Sequence, residues 1–230
     1  MATLLFKLND HLYLRDPQHT LLGQSIVRAS IDMIDRLGFE QFTFKKLAEE
    51  IDSTEASIYR YFENKHRLLL YLISWYWSWL EYRIDLFTSG ITDPKEKLKS
   101  CLHVIAEEKK IDPNFEFINE EALYHIVVAE LDKTFLTKWV DDDNKEGLFG
   151  GFKTLCNKIA GWVTEVNPQY PYPNSLVSTI LLTAKQQVFF ASHLPSLTNI
   201  KTNVNSSVEL ERFLETILFN SILSNHSSHA

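Results

Sequence analysis

Between residues 22 and 62 the apolar residues recur three and four positions apart in three short runs, each set off by turn-forming residues. This spacing belongs to helices that bury one face, and runs this short can bury it only against one another. The first run is Leu22, Ile26, Ala29, Ile31, Met33, Ile34 and Leu37. Asp16-Pro17 opens it, since an aspartate caps and a proline loses nothing in a first helical turn. Gly38 stops it. Thr43 caps a second, short helix with Leu47, Ala48 and Ile51 inward. Asp52-Ser53-Thr54 then turns the chain into a third, which runs through Ile58, Tyr59 and Phe62.

Three helices with a tight turn between the last two are the pattern of a helix-turn-helix DNA reader. Leu47, Ala48, Ile51, Ile58 and Phe62 supply a small shared core, and Ala48 is small where two helices must approach closely. Glu55, Ser57, Arg60 and Tyr61 are left outward on the third helix, a polar and aromatic row able to face a major groove. Lys65 falls in the first turn of the next helix, where its ammonium and the free N–H groups can meet a phosphate.

The remainder reads as helical too. Seven glycines and seven prolines among 230 residues are too few for a fold of many short strands. The patterns predict a helix from Glu63-Asn64 to Phe87 and another from Thr92-Asp93-Pro94 to Lys110. Further helices are predicted over Asn119–Leu131 and Phe135–Val140, and from Lys145 to Val166 behind an Asp141-Asp142-Asp143 cap. Two strong helices close the chain, Ser175–His193 and Val208–Leu223, the second behind a capping box at Ser206-Ser207-Val208-Glu209. The fold class is therefore all-α. Residues 1–70 form a three-helix DNA-binding domain and residues 71–230 a larger helical body.

Charge and motifs narrow the function. The net charge is −7, and residues 1–70 hold 9 basic and 10 acidic side chains, which argues against a non-specific coat on nucleic acid but leaves room for a small local basic face. Metalloprotease, hydrolase, P-loop and dinucleotide motifs are all missing, and no carboxylate or Cys–His pair emerges from spacing. No enzyme, catalytic residue, cofactor or metal is expected. The His226 and His229 pair reads as a dangling tail, and the aspartate run as a helix cap. Cys101 and Cys156 read as buried thiols in a reducing cytoplasm. A signal peptide is lacking, and the most apolar run, Leu68 to Leu80, is too short to span a bilayer. The expected location is cytoplasmic, without membrane contact.

Over Gln24–Leu70 the sequence resembles the tetracycline-repressor (TetR) family of bacterial regulators. The segments that carry the likeness are IVRASIDMIDRLGFEQFTFKKLAEEI, SIYRYF and NKHRLLL, in order and at the family's spacing. Carried over residue by residue, the resemblance makes Thr43, Tyr59, Tyr61 and Lys65 phosphate contacts, and Lys45, Glu55, Ala56 and Ser57 base readers. Two positions depart from the family pattern: the turn glycine is Asp52, and the common lysine after the turn is Glu55. Residues 40–67 carry 5 basic and 6 acidic side chains, which predicts weak non-specific DNA binding.

The resemblance further implies a ligand-sensing body and a homodimer built by the last two helices. The sequence agrees independently: Ile180, Leu181, Leu182, Val188, Phe189 and Phe190, with Leu210, Phe213, Leu214, Ile217, Leu218 and Ile222, exceed one buried face. A dimer of readers implies a palindromic operator in double-stranded DNA. The fourth helix is rich in aromatics, chiefly core and the joint between reader and sensor, with Trp75 and Trp79 as candidate ligand walls. His103, Tyr124, His125 and Trp139 are the candidate polar wall positions. The expected function is a sequence-specific transcriptional regulator, a repressor released by a small apolar or aromatic effector. The alternative is a helical dimeric sensor whose reader has degenerated and which acts through a protein partner.

Overall fold

The computed structural model describes residues 4–202 and 205–223, and every regular element among them is helical. The helices are α1 (Leu21–Leu37), α2 (Phe44–Glu50), α3 (Glu55–Tyr59), α4 (Lys65–Thr88), α5 (Pro94–Ala106), α6 (Glu120–Glu130), α7 (Asp132–Phe135), α8 (Val140–Lys145), α9 (Gly150–Val166), α10 (Pro173–His193) and α11 (Ser206–Leu223). None of the described helices is long and apolar enough to cross a membrane.

Several boundaries differ from expectation, each for a local reason. Asp16 does not open α1. Its carboxylate accepts from the Gln18 N–H and caps a single 3-10 turn, and Thr20 Oγ1 then caps α1 by accepting from the Gly23 N–H. Helix α3 stops at Tyr59 because the N–H groups of Tyr61 and Phe62 both return to the Ile58 carbonyl. Helix α5 ends at Ala106 rather than Lys110. The three aspartates lie inside α8 instead of capping a longer helix, and Gly147, at φ 78°, separates α8 from α9. Ser206 is already helical, and the Glu209 carboxylate accepts from the Lys201 N–H rather than closing a capping box. His226 and His229 lie outside the described residues.

The chain divides into two compact units, one running to Trp79 and resuming over Lys109–Phe152, the other comprising Leu80–Glu108 and the residues from Lys153 on. Helices α1–α3 thus share a unit with α6–α8, whereas the expected division fell at residue 70. Within it, Arg28 donates to the Glu116 carbonyl at 2.9 Å, and His125 Nδ1 lies 3.1 Å from Asp35 Oδ1.

A strap of residues 4–20, unread in the sequence, crosses the same unit. The buried Gln18 amide bonds Phe6 in both directions, accepting from its N–H at 3.2 Å and donating to its carbonyl at 2.9 Å. The Phe6, Trp75 and Phe115 rings meet with all three centroid distances at 5.2 Å. Leu14 N–H donates to the Tyr61 carbonyl at 2.8 Å. The strap passes so close to α1 that a Cβ at Gly23 would overlap the Pro17 backbone and its carbonyl oxygen. Gly23→Ala is therefore expected to cost about 1–3 kcal/mol through forced backbone displacement. A urea midpoint equal to that of the native protein would show that the strap yields freely.

The second unit packs α5 against α10 and α11. Leu98, Leu102, Ile105, Ile159, Leu181 and Leu218 belong to the all-apolar lining of an internal void of about 10 Å³. Of the apolar residues expected at a dimer contact, Ile180, Leu181, Leu210, Leu214, Leu218 and Ile222 are buried within this unit. Leu182, Val188, Phe189, Phe190 and Ile217 stay half-buried and Phe213 is exposed.

Candidate DNA interface

Each step of the helix-turn-helix is held by a local hydrogen bond. Thr43 Oγ1 accepts from the Lys46 N–H at 3.2 Å and starts α2. Ser53 N–H returns to the Ala48 carbonyl at 2.8 Å, and Asp52 takes the left-handed conformation that the turn requires, at φ 50°. Aspartate tolerates that region better than most residues, because its short side chain can bond locally. Thr54 Oγ1 then accepts from the Ser57 N–H at 3.2 Å and starts α3. Phe44, Leu47, Ala48, Ile58 and Phe62 are buried. What remains outside is Thr43, Lys45, Glu55, Ala56 and Arg60, with Ser57 half-buried. Tyr59 is 48% exposed, its ring set edge-on to Phe44 at 5.1 Å.

Two expected phosphate contacts are not presented. Tyr61 is only 2% exposed: its hydroxyl lies 2.8 Å from Thr20 Oγ1, and Arg15 covers its ring at 5.4 Å. The turn after α3 rotates this side chain inward, so it does not join the outward row. Lys65 sits in the first turn of α4, as expected, but its ammonium points back. It donates to the Phe39 carbonyl at 3.1 Å, lies 3.4 Å from those of Glu40 and Phe42, and rests over the Phe39 ring. Three carbonyls of the α1–α2 loop converge there, and a cation satisfies all of them.

The same loop is gripped from α6 and α7. Phe39 N–H donates to Glu130 Oε1 at 3.1 Å, and Lys133 Nζ lies 2.8 Å from Glu130 and 2.6 Å from Glu40. The hydrogen bond from Lys133, aided by its charge, holds the Glu40 carboxyl below the usual carboxylate range. Sequence reasoning missed these two residues, because nothing local ties an α6 carboxylate to a loop 91 positions earlier.

Lys65→Met is expected to lower stability by about 1–3 kcal/mol, since the loop carbonyls lose their donor. The dependence of DNA affinity on salt should not change. A salt slope smaller by about one unit would return the ammonium to a phosphate.

The residues expected to wall a ligand site each have neighbours of their own, and Trp139 also lines an open cleft of the first unit beside Lys65, Arg67 and Asp143. Trp75 is core, packed on Phe6 and Phe115, and Trp79 is buried beside Tyr76. Tyr124 stacks on Tyr76 at 5.9 Å with Lys109 Nζ 5.3 Å from its ring, and burial pushes both phenols far above their ordinary pKa. His103 is exposed and pairs with Glu211 at 3.0 Å, and His125 is exposed and pairs with Asp35. Trp139 is 56% exposed with Lys138 over its ring. None of the six lines the void of the second unit. Within the aspartate run, Asp143 is buried with His66 Nε2 at 3.1 Å and Arg67 at 3.4 Å, and Asp142 meets Lys145 at 3.0 Å.

Residues 26–72 match the family described as bacterial regulatory proteins, tetR family. No curated protein matches the chain in sequence. Among solved structures, the fold is similar to the fatty acid degradation regulator FadR from Bacillus halodurans, with TM-score 0.60 and 18% identity over 84% of this chain and 96% of that one. It is also similar to the ketosteroid transcriptional regulator KstR2 of Mycobacterium tuberculosis, with TM-score 0.56 and 13% identity over 89% and 97% of the two chains. AibR, solved in complex with isovaleryl coenzyme A and operator DNA, aligns with TM-score 0.51 and 15% identity over 86% and 98%. Residues 26–72 thus match the tetR family of bacterial regulatory proteins, and the described residues share an all-helical fold with these solved regulators.

Proposed function

We propose that the chain is a homodimeric, sequence-specific DNA-binding transcriptional regulator, a repressor released by a small apolar or aromatic effector. The observation that carries the reading is the outward row on a capped helix-turn-helix: Lys45, Glu55, Ala56 and Ser57 toward bases, Thr43 and Tyr59 toward phosphates. Glu55 is free to accept from the amino group of a cytosine, a contact worth about 1–3 kcal/mol of discrimination when well formed. The half-exposed apolar residues of α10 and α11 support a dimer, which sets two readers on a palindromic operator. The all-apolar lining of the void among α5, α9, α10 and α11 favours an apolar effector, and at about 10 Å³ that void must open to admit one. An acyl group such as the one AibR was solved with is of that chemistry. Release follows if the effector prefers a conformation whose half-site spacing misfits the operator.

Fluorescence anisotropy against the DNA upstream of its own gene, beside a scrambled duplex and across a salt series, tests the reading. A preference of roughly a thousandfold with a steep salt slope supports it. Equal and feeble binding to every duplex in a randomised pool would favour the second reading, a sensor with a degenerate reader. The acidic pair Asp52 and Glu55 at the turn is what speaks for that alternative.

A further inference from the structure

Five cations of the first 70 residues are committed to acceptors. Arg28 bonds the Glu116 carbonyl, Arg36 pairs with Glu50, Lys46 bonds the Gln41 carbonyl, Lys65 bonds the α1–α2 loop, and Arg67 pairs with Glu146 and Asp143. Lys45 and Arg60 stay exposed on α2 and at the end of α3. A third exposed cation is carried by the strap. Arg15 makes no ion pair among the described residues, and its guanidinium lies over the buried Tyr61 ring, two residues beyond the end of α3.

Its position is fixed from both sides. Leu14 N–H is bonded to the Tyr61 carbonyl at 2.8 Å. On the other side Asp16 caps the 3-10 turn that presses Pro17 against Gly23, and Gln18 clips the strap to Phe6. An exposed arginine on a free tail would lose much of its attraction to the entropy of ordering it. Here the backbone is ordered in advance.

Helix length says what lies in front of it. Five residues of α3 rise about 7.5 Å, less than the width of a major groove, about 12 Å. A recognition helix that short leaves a cation beyond its last turn at the groove wall, where the phosphates are. Resting on the DNA-reading function proposed above, we infer that Arg15 is a phosphate contact of this reader, delivered by the N-terminal strap to the place that the buried Tyr61 leaves unfilled.

The test uses the full chain and the duplex that it selects from a randomised pool, beside a scrambled duplex of equal length. Arg15→Ala is expected to weaken both about fivefold at 0.15 M salt and to reduce the slope of log K against log salt by about one unit. Arg15→Lys keeps the slope, because it keeps the charge. The urea midpoint of both variants changes little, since Arg15 is exposed and loses only its contact with the Tyr61 ring. An unchanged slope in Arg15→Ala overturns the inference while leaving the DNA reader standing. So does a loss confined to the selected duplex with altered base preference, which would make Arg15 a base reader. A native protein that selects no duplex at all removes the reader, and this inference with it.

Discussion

Trp75→Ala is expected to destabilise the protein by about 3–5 kcal/mol, the cost of emptying a large aromatic site in a packed core. Trp75 is 1% exposed, and its ring is held between Phe6 of the strap and Phe115 ahead of α6. Removing it takes the common partner from segments far apart in sequence. The urea midpoint should fall steeply, and effector release should vanish only as folding does. Phe6→Ala, at a half-buried site, should cost clearly less. A stable Trp75→Ala variant that binds DNA normally but no longer responds to effector would instead place the indole in a ligand site. Trp75 would then be a wall after all.

The second large effect concerns assembly. Phe189→Glu combined with Phe213→Glu is expected to convert the proposed dimer to monomer in sedimentation and to lower operator affinity by at least about a thousandfold, to the non-specific level. Neither ring is buried within its own unit, so the urea midpoint measured at low protein concentration should change little. Leu214→Ala is the contrasting variant. Leu214 is fully buried on the same helix, and truncating it should cost about 2–5 kcal/mol of stability. A double glutamate variant that remains dimeric would move the interface away from α10 and α11.

Where each helix begins was legible wherever one side chain decides it. Thr43, Thr54, Asn119 and Asp93 cap the helices that follow them, since a short oxygen-bearing side chain meets an N–H two or three residues on. Gly38 ends α1 at φ 77°, and Asp52 adopts the positive φ expected of a turn glycine. Where two caps compete, the nearer turn prevails: Asp16 spends its carboxylate on Gln18, and α1 waits for Thr20. The aspartate run misled because three acidic residues are as favourable inside a first helical turn as before it.

The candidate site divides along the same line. Residues on α2 and in the first turn of α3 lie outward as their spacing predicts, because helical period alone decides which face they occupy. Tyr61 and Lys65 follow the end of α3, and there a change of backbone direction, which no periodicity encodes, turned one inward and the other back onto the α1–α2 loop. His103 and His125 sit at helical positions as anticipated, yet each faces a carboxylate on a distant helix rather than a cavity.

The sequence by itself determined the all-helical character, the caps at Thr43, Thr54, Asp93 and Asn119, the helix-turn-helix and the apolar excess of α10 and α11, all matters of neighbours within about four residues. Only the tertiary structure decided that the strap is clipped by Gln18, that Glu130 and Lys133 grip the α1–α2 loop, and that Arg15 stands over Tyr61. Those contacts join residues from 12 to 93 positions apart. At such separations many partners of equal chemistry are available, and the packing of whole helices selects among them.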